Sequence, residues 1–293
     1  MQIYRKLIPV LFLTCLSIAQ DNQNTVIDTY HFDTADVKRI EVKIDYSMGE
    51  LAITDNGKLN FINGTIEYFP EWISPDIRYY TIGSKGKLKV EVDAIDHSFT
   101  FHGKDIWKGL RDNNGLSYVS FRLPRDIPTD MEIEFGLGES EIDISNLSIS
   151  EFFLECGLGE TRLIMNSANS ERCKKVIISA GLGEFTGIEL GNLRGKIYEF
   201  NMGLGASTID LTGDVIEDMK GTIEVGLGSL VLILPKNANI RLEIERSFLS
   251  SVNVRDLVQK DEVWLSPSWD KNLPTVEFEI SVGLGAVNIH LGD

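Results

Sequence analysis

Apolar and polar residues alternate strictly over short stretches along most of this chain. Ile40-Glu41-Val42-Lys43-Ile44-Asp45-Tyr46 is the first clear case. A period of two is that of a strand with one buried face. Further strands are predicted at Phe61–Phe69, Arg78–Ile82, Lys87–Val92 and Tyr118–Leu123. From Asp93 to Leu116 the rhythm breaks in a stretch carrying Phe99, Phe101, His102 and Trp107, and Pro124 and Pro128 mark a boundary.

Beyond that boundary the alternation is punctuated by six copies of one tripeptide. They are Gly136-Leu137-Gly138, Gly157-Leu158-Gly159, Gly181-Leu182-Gly183, Gly203-Leu204-Gly205, Gly226-Leu227-Gly228 and Gly283-Leu284-Gly285. An alternating run enters each, as in Met131-x-Ile133-x-Phe135, and another leaves it, as in Ile142-x-Ile144. If the marker leucine continues the entering strand, the next core residue lies an odd step away. An odd step exchanges the faces of a strand, so the backbone must bend there. The twelve marker glycines are assigned to that corner, because glycine reaches positive φ freely and leaves no Cβ in the bend. On this reading Leu137, Leu158, Leu182, Leu204 and Leu227 form one internal column. The copy at Leu182 carries an extra residue before Ile188 and predicts a bulge.

The first five markers recur every 21 to 24 residues. Met48-Gly49-Glu50 is an early degenerate copy. Ser247 to Val254 is a later copy without glycines, separated from the last marker by a segment carrying Trp264 and Trp269. Those tryptophans are expected to cap the array. A repeat of this length without helical periodicity specifies stacked β-rungs. The fold class is therefore all-β: a β-solenoid over 126–293 with rungs of about 22 residues, preceded by a smaller β domain over 20–125. Residues 1–19 read as a signal peptide, with Arg5 and Lys6 before the apolar run Leu7 to Ile18 and small residues at Ser17 and Ala19. Export is expected, to the periplasm or beyond. Cys15 follows Thr14 rather than Gly, Ala or Ser, which argues against a lipid anchor, and no later stretch reads as a membrane span.

Charge narrows the partners. The chain has 28 Lys and Arg against 44 Asp and Glu, a formal charge of −16. Such a surface repels phosphate backbones, which excludes nucleic acid as a partner. Two cysteines follow the signal, Cys156 and Cys173, with no metal-ligand spacing; an oxidising compartment permits a disulfide, and two buried thiols are the alternative.

Little in the chain carries chemistry. Gly-x-Gly followed by a strand, not a helix, is no dinucleotide fingerprint. There is no HExxH and no nucleophile elbow. Glu139, Glu160 and Glu184 follow three successive markers, with Glu50 at the analogous early place. Stacked carboxylates could hold a hard cation such as Ca²⁺. The competing readings are a solvated row or carboxylates bonded to corner amides, and no metal or other cofactor is predicted. Phe99, Phe101 and Trp107 are the candidate partner-binding residues, as aromatics on a loop over a rigid scaffold.

The chain resembles the toast-rack superfamily of bacterial envelope domains, which includes the extracytoplasmic part of the Lia-type regulator of the envelope stress response. The match is carried by the Gly-Leu-Gly copies, by Leu234-Pro235-Lys236-Asn237-Ala238-Asn239-Ile240 leading to Ser251-Val252-Asn253-Val254, and by Val263-Trp264-Leu265-Ser266-Pro267-Ser268-Trp269 with Ile280 to Val287. Ile40 to Leu51 and Gly83 to Val92 resemble the N-terminal toast-rack domain. The resemblance implies a non-catalytic binding or scaffold module, linked to envelope stress, whose partner is an envelope protein or a glycan. It supplies no catalytic residues, and the lack of membrane helices separates this chain from the Lia-type regulator. A carbohydrate- or surface-adhesive solenoid is the alternative, and would show aromatic rows in a groove along the stack. A polysaccharide-active enzyme would need clustered acids and a base in a cleft.

Overall fold

The computed structural model describes residues 25–95 and 117–292. The strands are β1 (Val26–Asp33), β2 (Arg39–Asp55), β3 (Phe61–Tyr68), β4 (Ile73–Ile82), β5 (Lys85–Ala94), β6 (Tyr118–Leu123), β7 (Thr129–Asp143) and β8 (Ile149–Ile164). They continue with β9 (Lys175–Ile188), β10 (Ile197–Asp210), β11 (Met219–Leu234), β12 (Asn239–Arg246), β13 (Ser251–Val254), β14 (Val258–Lys260), β15 (Val263–Leu265) and β16 (Thr275–Leu291). All sixteen belong to one sheet.

Each long strand is one rung, bent at its glycines into two arms that pair in parallel with the rungs on either side. On the first arm, Ile44, Ile133, Leu154, Ile178, Phe200, Ile223 and Ile280 align into one fully buried column. On the second arm, Ile53, Ile142, Leu163, Ile209, Leu232 and Ile289 occupy equivalent buried positions. The short returns at the opposite edge are bracketed by buried asparagines. Asn169 Nδ2 donates to the Ile149 and Leu193 carbonyls at 2.7 and 3.1 Å. Asn192 Nδ2 donates to the Met165 carbonyl at 2.8 Å, while its Oδ1 accepts from the Asp214 amide at 2.7 Å. Buried turn groups would otherwise be left unpaired at a cost of about 1–3 kcal/mol each.

The early degenerate copy is the first rung of the stack. Met48, Gly49 and Glu50 align with Leu137, Gly138 and Glu139. On the other side of β2, two strands share the place of a single rung. β5 pairs with the first arm, Lys85–Val92 against Arg39–Tyr46, and β6 with the second, Tyr118–Leu123 against Glu50–Asp55. Antiparallel β4 finishes one arm, and β3 and β1 finish the other.

Three features of the stack differ from the sequence reading. The order of the last rungs is inverted: β16 lies between β11 and β12, so Leu284 aligns with Leu227 and the glycine-free copy forms the outer rung. The expected bulge near Ile188 is absent, because β9 keeps register with both neighbours. Gly187 takes the inward place there, and Leu190, from a short 3-10 turn (Leu190–Leu193), fills the space, since a Cβ on Gly187 would lie 2.6 Å from its Cδ1. The marker leucines point outward, as described below. At the end of the stack β15 pairs with β12, and β14 with β15. Trp264 packs against the core there, whereas Trp269 is half exposed. Cys156 and Cys173 are both buried free thiols, and burial pushes them up to about 11 and about 12.

Charge pairs tie the N-terminal strands to the stack. Glu41 on β2 is bound by Lys85 at 2.5 Å and Lys87 at 3.1 Å, and Lys85 first, then Lys87, hold its carboxyl below its ordinary value against partial burial. Burial raises the Asp55 carboxyl, but Arg125, the Gly57 amide and Asn146 outweigh it and leave it lowered. A lowered folded-state pKa gives stability that is present above the unfolded value and lost as pH falls through the folded one. Asp45 has the opposite sign: burial, then Glu134 and Asp93, raise it, so its protonation partly offsets the loss. Hydrogen exchange, corrected for intrinsic rates, is therefore expected to show β5 and the Asp55–Arg125 region losing protection below about pH 4.5, before β10 and β11 do. Glu41→Gln should remove part of that pH dependence.

Candidate functional site

The corner is where the repeat becomes a surface. The second glycine of each marker has φ between +133° and +157°. A Cβ on Gly159, Gly183, Gly205, Gly228 or Gly285 would lie 1.9 Å from the carbonyl oxygen of the equivalent glycine in the neighbouring rung. A Cβ on a first glycine would lie 2.3–2.8 Å from the neighbouring rung's backbone oxygen. Successive corners are thus stacked backbone on backbone.

The strand turns before the leucine, not after it. The last inward residue ahead of each corner and the first beyond it are five apart: Tyr46 and Leu51, Phe135 and Ser140, Cys156 and Thr161, Val225 and Leu230, Val282 and Val287. The marker leucine sits between them on the outside. Leu158, Leu182, Leu204, Leu227 and Leu284 are each 40–50% exposed, and Leu137 is half-buried. The expected internal column is therefore an external ladder. The phase was obscured at three rungs because the first place beyond the corner is polar there: Ser140 and Thr161, whose hydroxyls satisfy each other at 2.9 Å, and Ser207. Leu51, Phe185, Leu230 and Val287 hold the same place and carry the signal that identifies it.

The ladder runs from Met48 through Leu137, Leu158, Leu182, Leu204 and Leu227 to Leu284, one residue per rung. At about 4.8 Å per rung, six steps make an apolar row about 29 Å long. The outer rung continues it with the tip Ser247–Ser250, where Phe248 is 94% and Leu249 60% exposed. Exposed apolar residues scattered singly are ordinary; a contiguous row is not.

A groove of about 710 Å³ follows the ladder on the first-arm side. Its floor is Gly157, Gly181, Gly203, Gly226 and Gly283, and its far wall is Glu155, Ser179, Asn201, Glu224, Ser281 and Glu245. No aromatic residue lines it, so the aromatic rows expected of a sugar-binding groove are not found there. On the other flank Glu50, Glu139, Glu160 and Glu184 align in four adjacent rungs, all exposed, followed by Ala206, Ser229 and Ala286. Like charges stacked this way repel. Among the described residues no three His, Cys, Asp or Glu side chains converge to hold a metal ion. His31 Nδ1 lies 2.8 Å from Asn63 Oδ1, far from the corner in the pairing order. Phe99, Phe101, Trp107, His97, His102, Cys15 and the predicted signal peptide lie outside the described residues.

Among the described residues no helix is long and apolar enough to cross a membrane. No curated protein matches the chain significantly. A solved candidate cell adhesion protein from Clostridium sporogenes is 18% identical, with 92% of this chain and all of that one covered, at a TM-score of 0.48. A candidate adhesin from Bacteroides fragilis is 13% identical, with 90% and 96% covered, at a TM-score of 0.32. The family model for the N-terminal domain of toast-rack, DUF2154, matches residues 19–188, from before β1 to the end of β9. With more than half of its length in that match, the chain belongs to the toast-rack N-terminal domain family.

Proposed function

We propose that this protein is an exported, non-catalytic binding module of the bacterial envelope, and that it binds through the corner edge. The supporting observation is the external leucine ladder with its groove. A rigid β-stack presents an apolar row of repeated spacing on one edge, while its interior is filled by side chains. None of the marker leucines belongs to the buried core columns or is among the residues packed against them. Export is supported by Arg5 and Lys6 ahead of the apolar run Leu7 to Ile18, and the envelope assignment by the family. Within 20–125, in this reading, β2 contributes the first rung to the stack over 126–293 and the other strands close that end. A link to envelope stress sensing is part of the proposal through the family resemblance.

A photo-crosslinking residue placed at position 204, on the ladder, is expected to give a discrete covalent adduct in the native envelope. The same residue at position 208, on the outer face of the second arm, should give none. Equal yields from both positions, or none from either, would rule out the corner edge as the binding surface.

A further inference from the structure

The chemistry of the two flanks says what kind of partner the ladder fits. On the second-arm flank stand Glu50, Glu139, Glu160 and Glu184, and on the groove side Glu155, Glu224 and Glu245. None of these seven carboxylates belongs to an ion pair among the described residues. Elsewhere on the same arms several carboxylates are matched: Lys43 sits between Glu132 and Glu134, Lys175 pairs with Glu199, and Arg241 pairs with Glu243 and Glu277. The one base lining the groove is Arg246. The edge is thus an apolar row between two acidic flanks that carry no ion pair among the described residues.

We infer that the occupant of the corner edge is a cationic amphipathic segment of a partner protein, with apolar side chains along the leucine ladder and Lys or Arg toward the two glutamate flanks. The inference rests on the corner edge being the binding surface. A second copy of this chain is the less suitable occupant, because docking edge to edge would bring acidic flank against acidic flank. An anionic lipid surface is repelled by the same flanks. Geometry favours a helix. One helical turn advances about 5.4 Å, near the rung spacing of about 4.8 Å, whereas two residues of extended chain advance about 6.8 Å and lose step within a few rungs. An apolar stripe at i, i+3, i+4 and i+7 would therefore track the row, and about 29 Å of ladder corresponds to about 19 helical residues. Electrostatic attraction between opposed charges would speed encounter and fix orientation, and salt would weaken it.

The test uses the full chain and three labelled 20-residue peptides. One is an amphipathic Leu/Lys helix, one a Ser/Lys peptide of equal charge, and one an amphipathic Leu/Glu helix. Binding is measured by fluorescence anisotropy at physiological salt. The Leu/Lys peptide is expected to bind at least tenfold more tightly than either other. A variant carrying Leu158→Ser, Leu204→Ser and Leu227→Ser should lose at least tenfold while keeping its melting temperature, since those side chains lie outside the core. Glu139→Gln, Glu160→Gln and Glu184→Gln together should lose several-fold and flatten the salt dependence. If the Leu/Glu peptide binds as well as Leu/Lys and the leucine variant abolishes both, the cationic partner is wrong while the corner edge stands. If the leucine variant binds Leu/Lys like the parent, both the partner and the edge fall. Sedimentation showing a dimer of the parent that the leucine variant dissociates would identify a second copy as the occupant and overturn the inference.

Discussion

Gly205→Ala is expected to destabilise the protein by about 4 kcal/mol, a large share of the roughly 5–15 kcal/mol that keeps an ordinary domain folded. Two costs add. Gly205 has φ +137°, a conformation a Cβ opposes by about 1–3 kcal/mol. The added methyl would also sit 1.9 Å from the Gly183 carbonyl oxygen and 2.9 Å from its carbon. Those are backbone atoms held by ladder bonds, so relief requires the rungs to part, and overpacking costs typically about 1–3 kcal/mol more. Leu204→Ala, one residue away, is expected to change stability by less than about 0.5 kcal/mol, as an outward-facing side chain. Urea titration of the two variants measures the contrast directly. Equal effects would mean that the leucine, not the glycine, holds the corner together.

Phe278→Ala is the second large expectation, at about 3–5 kcal/mol. Phe278 is fully buried on β16, with its ring centroid 6.4 Å from Phe200 and 6.3 Å from Tyr198. It also covers Gly221 of β11, where a Cβ would come within 2.8 Å of the ring. Those contacts exist only because β16 lies directly on β11. Were the rungs stacked in chain order, β12 would lie on β11 and Leu242, which pairs with Phe278 in register, would take its place over Gly221, leaving Phe278 a rung farther from Tyr198 and Phe200. Urea denaturation of Phe278→Ala measures the stability, and a double-mutant cycle with Phe200→Ala reads the rung order, because the two losses couple only if the rings touch.

Much of this architecture was legible in the chain because identical environments recur. Alternation such as Met131-x-Ile133-x-Phe135 marks the first arm in every rung, and Met48-Gly49-Glu50 aligns in register where its likeness to the later copies placed it. What escaped the reading has three physical causes. Ser140 and Thr161 are buried as a mutually bonded pair, so a hydrophobic count skips the first inward position and turns the leucines the wrong way. At Gly187 the core is filled by Leu190 from outside the strand, which mimics an inserted residue in the sequence. The order of the last rungs is set by which edges pair, and the same 22-residue spacing from Gly226 to Phe248 would serve whether or not a strand comes between. The ladder as a candidate site depended on the first of these phases, and so could not be located before the corner was.

The inverted order of the final rungs has a consequence for how the molecule is made. A chain emerging from synthesis presents β12 and β13 well before β16, yet their neighbour in the finished stack is β16 on its whole inner side. Until the last strand arrives, β11 offers an unpaired parallel edge, and premature pairing of β12 onto it would bury the slot that the last strand must enter. Vectorial growth, which suits a repeat array built one unit at a time, therefore cannot complete this one. Its final assembly awaits β16.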